Sequence, residues 1–242
     1  MNKPFVMLLL CMCCCDARAT TWGSTTVKDP ILAGEECHVM EPASYGSYIY
    51  HWESKYDQVF WPLVEKNGIW FCKKSGFTAF IGDFDGLTEG EREEIQTYLR
   101  ENYSGGDTIE ERLKLLEQIY SRRKKDDSFR NMLLRVLARW NQELGNLEEA
   151  RRYRRLALTQ IHAKLTGELP GQERLEYLYL ACNYDVYFEL RSADDCVAEV
   201  KAALKEESDP ELGGYVDYLE ALIEETPRIK PGGKLDPENV DA

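Results

Sequence analysis

Positive charge is in short supply in this chain. Its 30 Lys and Arg stand against 43 Asp and Glu, leaving a formal net charge of −13 over 242 residues. Such a field repels polyanions, so nucleic acid is excluded as a partner and anionic lipid is a poor one. Histidine is scarcer still: there are three, none in the H-E-x-x-H spacing that holds a catalytic zinc. No serine sits in G-x-S-x-G and no glycine-rich loop is built to cradle phosphate. Beyond the first twenty residues no apolar run is long enough for a membrane helix, so no transmembrane segment is expected. No cofactor is expected either.

What the chain does have begins at its N-terminus. Lys3 supplies a positive start, and Phe5 to Cys15 form an apolar run too short to span a bilayer. Ala17-Arg18-Ala19 then fits the small-x-small pattern of a cleavage site. The expectation is a signal peptide over 1–19 and an exported protein, periplasmic or secreted, starting at Thr20. A lipid anchor is the runner-up, because Cys11, Cys13, Cys14 and Cys15 crowd the apolar run. Against it, Leu10, Met12, Cys13 and Cys14 occupy the preceding places where acylation wants a small residue.

Four cysteines remain after that cleavage: Cys37, Cys72, Cys182 and Cys196. An even number in an oxidising compartment suggests disulfides, and the sequence alone does not choose among the three connectivities. Cys182 and Cys196 flank a turn near Arg191; they can pair across it or serve as small core residues.

The hydropathy pattern divides the chain. Residues 20–36 read as an N-terminal arm. Residues 37–103 read as a small β-rich module with a closing helix. In it, Tyr48, Tyr50 and Trp52 share one face at period two, and short apolar runs are separated by Pro62, Gly68 and Gly76. Thr88-x-x-Glu91 has capping-box spacing and opens the closing helix. After the break at Ser104-Gly-Gly-Asp107, residues 108–226 read as helices. Their starts are marked by Thr108-x-x-Glu111, Asp127 or Ser128, Asn146, Pro170, Ser192-x-x-Asp195 and Asp209-Pro210. Residues 227–242, with three prolines and two glycines, read as a disordered tail. The fold class is therefore α+β.

Within the helices, Leu134, Leu137 and Ala138 are followed by Gly145-Asn-Leu-Glu-Glu-Ala150 and Ala157-Leu158. That stretch resembles one tetratricopeptide repeat, in which small residues let two antiparallel helices approach. A weaker copy runs from Leu180 through Cys196 to Ala203-Leu204.

Cys37-His38-Val-Met40 and Cys72-Lys-Lys-Ser75 each keep the first cysteine of a C-x-x-C knuckle and lose the second. With Gly76-Phe-Thr-Ala-Phe80, Asp83-Phe84 and the helical second half, they resemble the bacterial family catalogued as domain of unknown function 2225. The likeness covers roughly Cys37 to Leu204. It implies a zinc-ribbon-derived module ahead of a tetratricopeptide-like array. It also implies that this chain, with Met40 and Ser75 in place of cysteines, has lost the Cys₄ site. What remains is expected to close as a structural Cys37–Cys72 disulfide, with zinc on Cys37, His38 and Cys72 the lesser alternative.

The remaining features carry bland readings beside sharper ones. Asp83-Phe-Asp85-Gly86 has no calcium-loop continuation, since Arg92 falls at the twelfth place, and reads as a turn. Arg151, Arg152, Arg154 and Arg155 read as a solvated basic stripe, with Glu148 placed to pair with Arg152. His51 lies near Glu53 and Asp57, which makes a hydrolase or glycan-acting site conceivable and strand-face hydrogen bonding the plainer reading. Twelve aromatics between Tyr45 and Phe84 exceed what a small sheet buries, so some should face the helices, a partner or a sugar ring. The function expected is a non-enzymatic binding or scaffold protein of the bacterial envelope. It would take a protein or peptide on the helical array, with a glycan on the aromatic module as a second possibility.

Overall fold

The structure is a computed structural model and describes residues 21–44 and 53–236. The signal-peptide reading therefore lies outside the described residues, as do Tyr48, Tyr50, His51 and Trp52.

Among the described residues two small antiparallel sheets precede seven α-helices, so the chain is α+β. Strand β1 (Thr21–Lys28) pairs with β2 (Glu36–Ser44), with Val27 opposite Cys37 and Lys28 opposite Glu36. About half of the expected arm, Thr21–Lys28, is thus a strand. Its Ser24-Thr-Thr-Val27 stretch carries little apolar alternation, yet β-branched residues favour the extended backbone that pairing needs. Strands β3 (Ile69–Phe71) and β4 (Thr78–Phe80) form the second hairpin. Its turn closes at Gly76, whose φ is +80° and whose added Cβ would lie 2.5 Å from the Tyr103 ring; only glycine fits.

The helices are α1 (Glu89–Asn102), α2 (Ile109–Arg122), α3 (Asp127–Glu143), α4 (Leu147–Leu165), α5 (Gly171–Tyr187), α6 (Ala193–Glu206) and α7 (Gly213–Ile223). Capping boxes at Thr88/Glu91 and Thr108/Glu111 are both made, hydroxyl and carboxylate each satisfying an otherwise orphaned amide. Between α3 and α4, Gly145 turns the chain at φ +79°, and Ala138, Ala150 and Ala157 are fully buried where the two helices meet. Helix α5 is buried around most of its circumference, as the central helix of a layered array must be.

One apolar core joins both hairpins to α1, α2 and α3, and a second fills the space among α4 to α7. The break at 104–107 is consequently a connection between helices and does not divide the core. Nor does the packing stop at Pro227. Ile229 and Leu235 are buried, the Tyr187 hydroxyl donates to Gly233 O at 2.9 Å, and Leu235 N donates to the Gln142 side chain at 2.7 Å. The expected tail is therefore packed through Asp236. Two apolar side chains spaced six apart were enough to dock a segment that composition alone marked as loose.

Cys37 and Cys72 form a bonded pair, as do Cys182 and Cys196, with Cα atoms 4.9 Å and 5.3 Å apart. The first ties β2 to the chain just after β3; the second ties α5 to α6. Among the described residues no helix is long and apolar enough to cross a membrane.

Candidate functional site

The most unusual construction in the molecule is a short segment that leaves the β part, enters the helices and returns. It starts as a 3-10 turn at Glu53–Asp57. The turn is closed by Gln58 N donating to Lys55 O at 3.1 Å and by the Ser54 hydroxyl donating to Val59 O. Gln58 then takes φ +47°, a left-handed backbone uncommon for a residue with a side chain. The reversal points neighbouring side chains in opposite directions. Tyr56 enters the second core and Val59 the first.

Asp57 lies between those two anchors, and its carboxylate is wholly enclosed. Arg154 Nε donates to Asp57 Oδ1 at 2.8 Å and Nη2 to Oδ2 at 2.7 Å, both side chains being 0% exposed. The Tyr184 hydroxyl donates to Oδ1 at 2.7 Å. Burial, and then the Asp57 charge, push the Tyr184 phenol well above its ordinary 10.0. Burial alone would lower the Arg154 pKa, but Asp57 beside it more than offsets that, so Arg154 stays charged.

The helices also hold the backbone of the segment. Arg135 Nη1, on α3, donates to Asp57 O at 3.0 Å and to Gln58 O at 2.9 Å, while its Nη2 pairs with Glu176 on α5 at 2.9 Å. Asn183 Nδ2, on α5, donates to Tyr56 O at 3.3 Å and is itself oriented by the Thr226 hydroxyl, 2.7 Å from its Oδ1. Gln58 Nε2 donates to the Tyr218 hydroxyl on α7 at 3.2 Å, and Lys55 and the Tyr56 hydroxyl both reach Glu225. Residues from α3, α4, α5, α7 and the turn after α7 thus converge on six residues of chain.

This geometry revises several expectations. Asp57 is locked in an ion pair away from solvent, so it is in no position to act as a base on a substrate. His51 and the Glu53 side chain lie outside the described residues. Arg154 is not part of a solvated stripe but is fully buried, while Arg151, Arg152 and Arg155 stack over Tyr187, Tyr153 and Phe188. Arg152 pairs with Glu149 at 2.9 Å instead of Glu148. The sequence did carry a signal for Arg154: it shares the buried stripe of α4 with Ala150, Ala157, Leu158 and Ile161.

A second cluster sits at the first hairpin. Asp29 Oδ1 accepts from Ile31 N at 2.8 Å and Leu32 N at 3.1 Å, turning the chain after β1. Its Oδ2 is buried with no hydrogen-bond partner among the described residues. A carboxylate oxygen of Asp29 and the sulfurs of Cys37 and Cys72 lie within 4.8 Å of one another. His38 is exposed on β2, one residue out of phase with buried Cys37 and Val39, and is not in the cluster. Ser75 Oγ accepts from Phe77 N at 3.1 Å and Met40 O accepts from the Trp70 indole at 2.9 Å, so these two positions serve the turn and the packing.

Trp70, Phe71, Phe77, Phe80 and Phe84 face inwards. Trp70 and Phe77 meet Phe84 edge-on, and Phe80 packs on Tyr120 and Phe129 of the helices. Among the described residues the exposed large hydrophobics are Leu156 and Leu190. The Asp83 turn is likewise structural: its carboxylate takes Arg123, Lys125 and the Tyr120 hydroxyl at 2.8 to 2.9 Å.

No family model, curated protein or solved structure matches the chain. The site is accordingly read from its own geometry.

Proposed function

We propose that this is an exported, non-enzymatic binding or scaffold protein of the bacterial envelope, in which a tetratricopeptide-like array grips a peptide segment. The observation that carries the reading is the way α3, α4 and α5 hold residues 56–58. Arg135 and Asn183 bond main-chain carbonyls, while Arg154 reads one carboxylate bidentately. Main-chain bonds supply affinity and one charged pocket supplies selectivity, which is how protein surfaces hold peptides. The occupant is the chain's own segment 54–59. A peptide arriving from outside must displace a ligand that tethering keeps at high effective concentration. Export is supported by the N-terminal pattern and by two bonded cysteine pairs.

The test uses the full chain and a synthetic peptide of residues 53–60. In a Tyr56→Ala/Asp57→Asn double variant the internal ligand is weakened, and the added peptide should raise the melting temperature by several degrees and bind saturably. The unaltered protein should show neither effect. A folded double variant that ignores the peptide would sink the receptor reading and leave the segment as core packing alone.

A further inference from the structure

We propose that Cys37–Cys72 is a thiol–disulfide exchange site that accepts electrons from an external dithiol, with Asp29 as the residue that favours its reduced form. The inference starts from an imbalance. Asp29 is buried, and its Oδ1 is fully used by two turn amides, while Oδ2 has no partner among the described residues. A buried carboxylate oxygen without a donor destabilises the state that contains it. A carboxylate oxygen of Asp29 lies within 4.8 Å of the two bonded sulfurs, and a disulfide has no proton to donate. Each thiol has one.

Reduction therefore provides what the oxidised form lacks. One S–H released beside Asp29 can donate to its carboxylate, so the dithiol state gains an interaction absent from the disulfide state. A disulfide whose reduced form is selectively stabilised is a stronger oxidant. Cys182–Cys196 serves as the contrast within the same molecule, since among the described residues no carboxylate or histidine joins those sulfurs within the same distance.

Access comes from a surface cavity of about 630 Å³ that both Cys37 and Cys72 line, its wall carrying acidic and basic side chains together. Cys37, 4% exposed against 1% for Cys72, is the residue assigned to be attacked. In the first step a thiolate of the dithiol bonds to Cys37 Sγ, the Cys37–Cys72 bond breaks, and the Cys72 sulfur leaves with the electron pair and takes up a proton. In the second, the other thiolate of the reagent attacks its own mixed-disulfide sulfur and releases Cys37. The external dithiol ends as a disulfide, Cys37 and Cys72 end as thiols, and the two protons and two electrons lost by the one are gained by the other.

The experiment equilibrates the oxidised full chain with reduced and oxidised dithiothreitol over a range of ratios. Thiols are then trapped with acid and located by peptide mapping, with helical circular dichroism followed in parallel. Cys37–Cys72 should be half-reduced at a ratio at least about tenfold lower than Cys182–Cys196, the scale of one added hydrogen bond to a charged acceptor, with the helical signal intact. Asp29→Asn keeps the oxygen that accepts the turn amides and replaces the facing oxygen by a donor. It should raise the ratio needed at Cys37–Cys72 about tenfold and leave that at Cys182–Cys196 unchanged. A merely structural fault would move both. Reduction of the two bridges together, only as the helical signal is lost, would overturn the proposal in the unaltered protein whatever the variant does. A folded Asp29→Asn protein with an unshifted ratio would overturn the role of Asp29.

Discussion

At the scale of single residues, the protein concentrates its electrostatic risk at Asp57. An ion pair removed from water stabilises little against an apolar pair of the same shape, but losing one partner leaves a buried charge unanswered. Arg154→Ala should therefore lower unfolding free energy by roughly 3 to 5 kcal/mol, read by denaturant titration with an unchanged slope. Arg154→Lys should rescue little, because one ammonium cannot reproduce the paired bonds to Oδ1 and Oδ2. A loss below 1 kcal/mol would mean that water reaches the site, contrary to the enclosure of both side chains. Arg154 also shows why burial was misread from sequence. Four arginines in five positions suggest a wet face, yet the helical period separates Arg154 from the others and sets it among alanines and Leu158.

At the scale of elements, legibility follows range. Helix starts at Thr88, Thr108 and Ser192 could be read because capping is complete within four residues. Strand β1 was missed because its partner, and not its own pattern, makes it a strand. The segment 54–59 was missed because its contacts reach residues some 80 to 170 positions away. Capping also yields a pH prediction. Glu91 accepts from Lys124 N at 2.6 Å and from Thr88 N at 2.8 Å, which hold its pKa at about 2, below the ordinary 4.5. A carboxylate depressed on folding contributes stability that is fully present above the unfolded value and lost as pH falls through the folded one. The contribution should thus persist above pH 4.5 and fade towards pH 2. Glu91→Gln should be less stable than the parent at pH 6, with the difference closing near pH 2. Parallel pH profiles for the two proteins would show that the tie between the α1 start and Lys124 does not act as an ionised cap.

At the scale of the whole molecule, three ties cross between the β part and the helices. The first core runs continuously from both hairpins into α3, the segment 54–59 plants Tyr56 in the second core and Val59 in the first, and Arg135 spans from that segment to α5. Elements joined in this way should not melt separately, even though the sequence suggests a boundary near residue 104. Cys37–Cys72 closes a loop between positions 35 apart, and by chain entropy its removal costs roughly 3 to 4 kcal/mol. That cost enters a single cooperative structure and so is borne by the helices as much as by the hairpins. Cys72→Ser should accordingly shift one transition to lower temperature, with near-ultraviolet and helical circular dichroism changing together, while a chelator leaves the melting temperature of the parent unchanged. Two separated transitions, the aromatic signal melting first over intact helices, would show instead that the hairpins are a detachable module held by their disulfide.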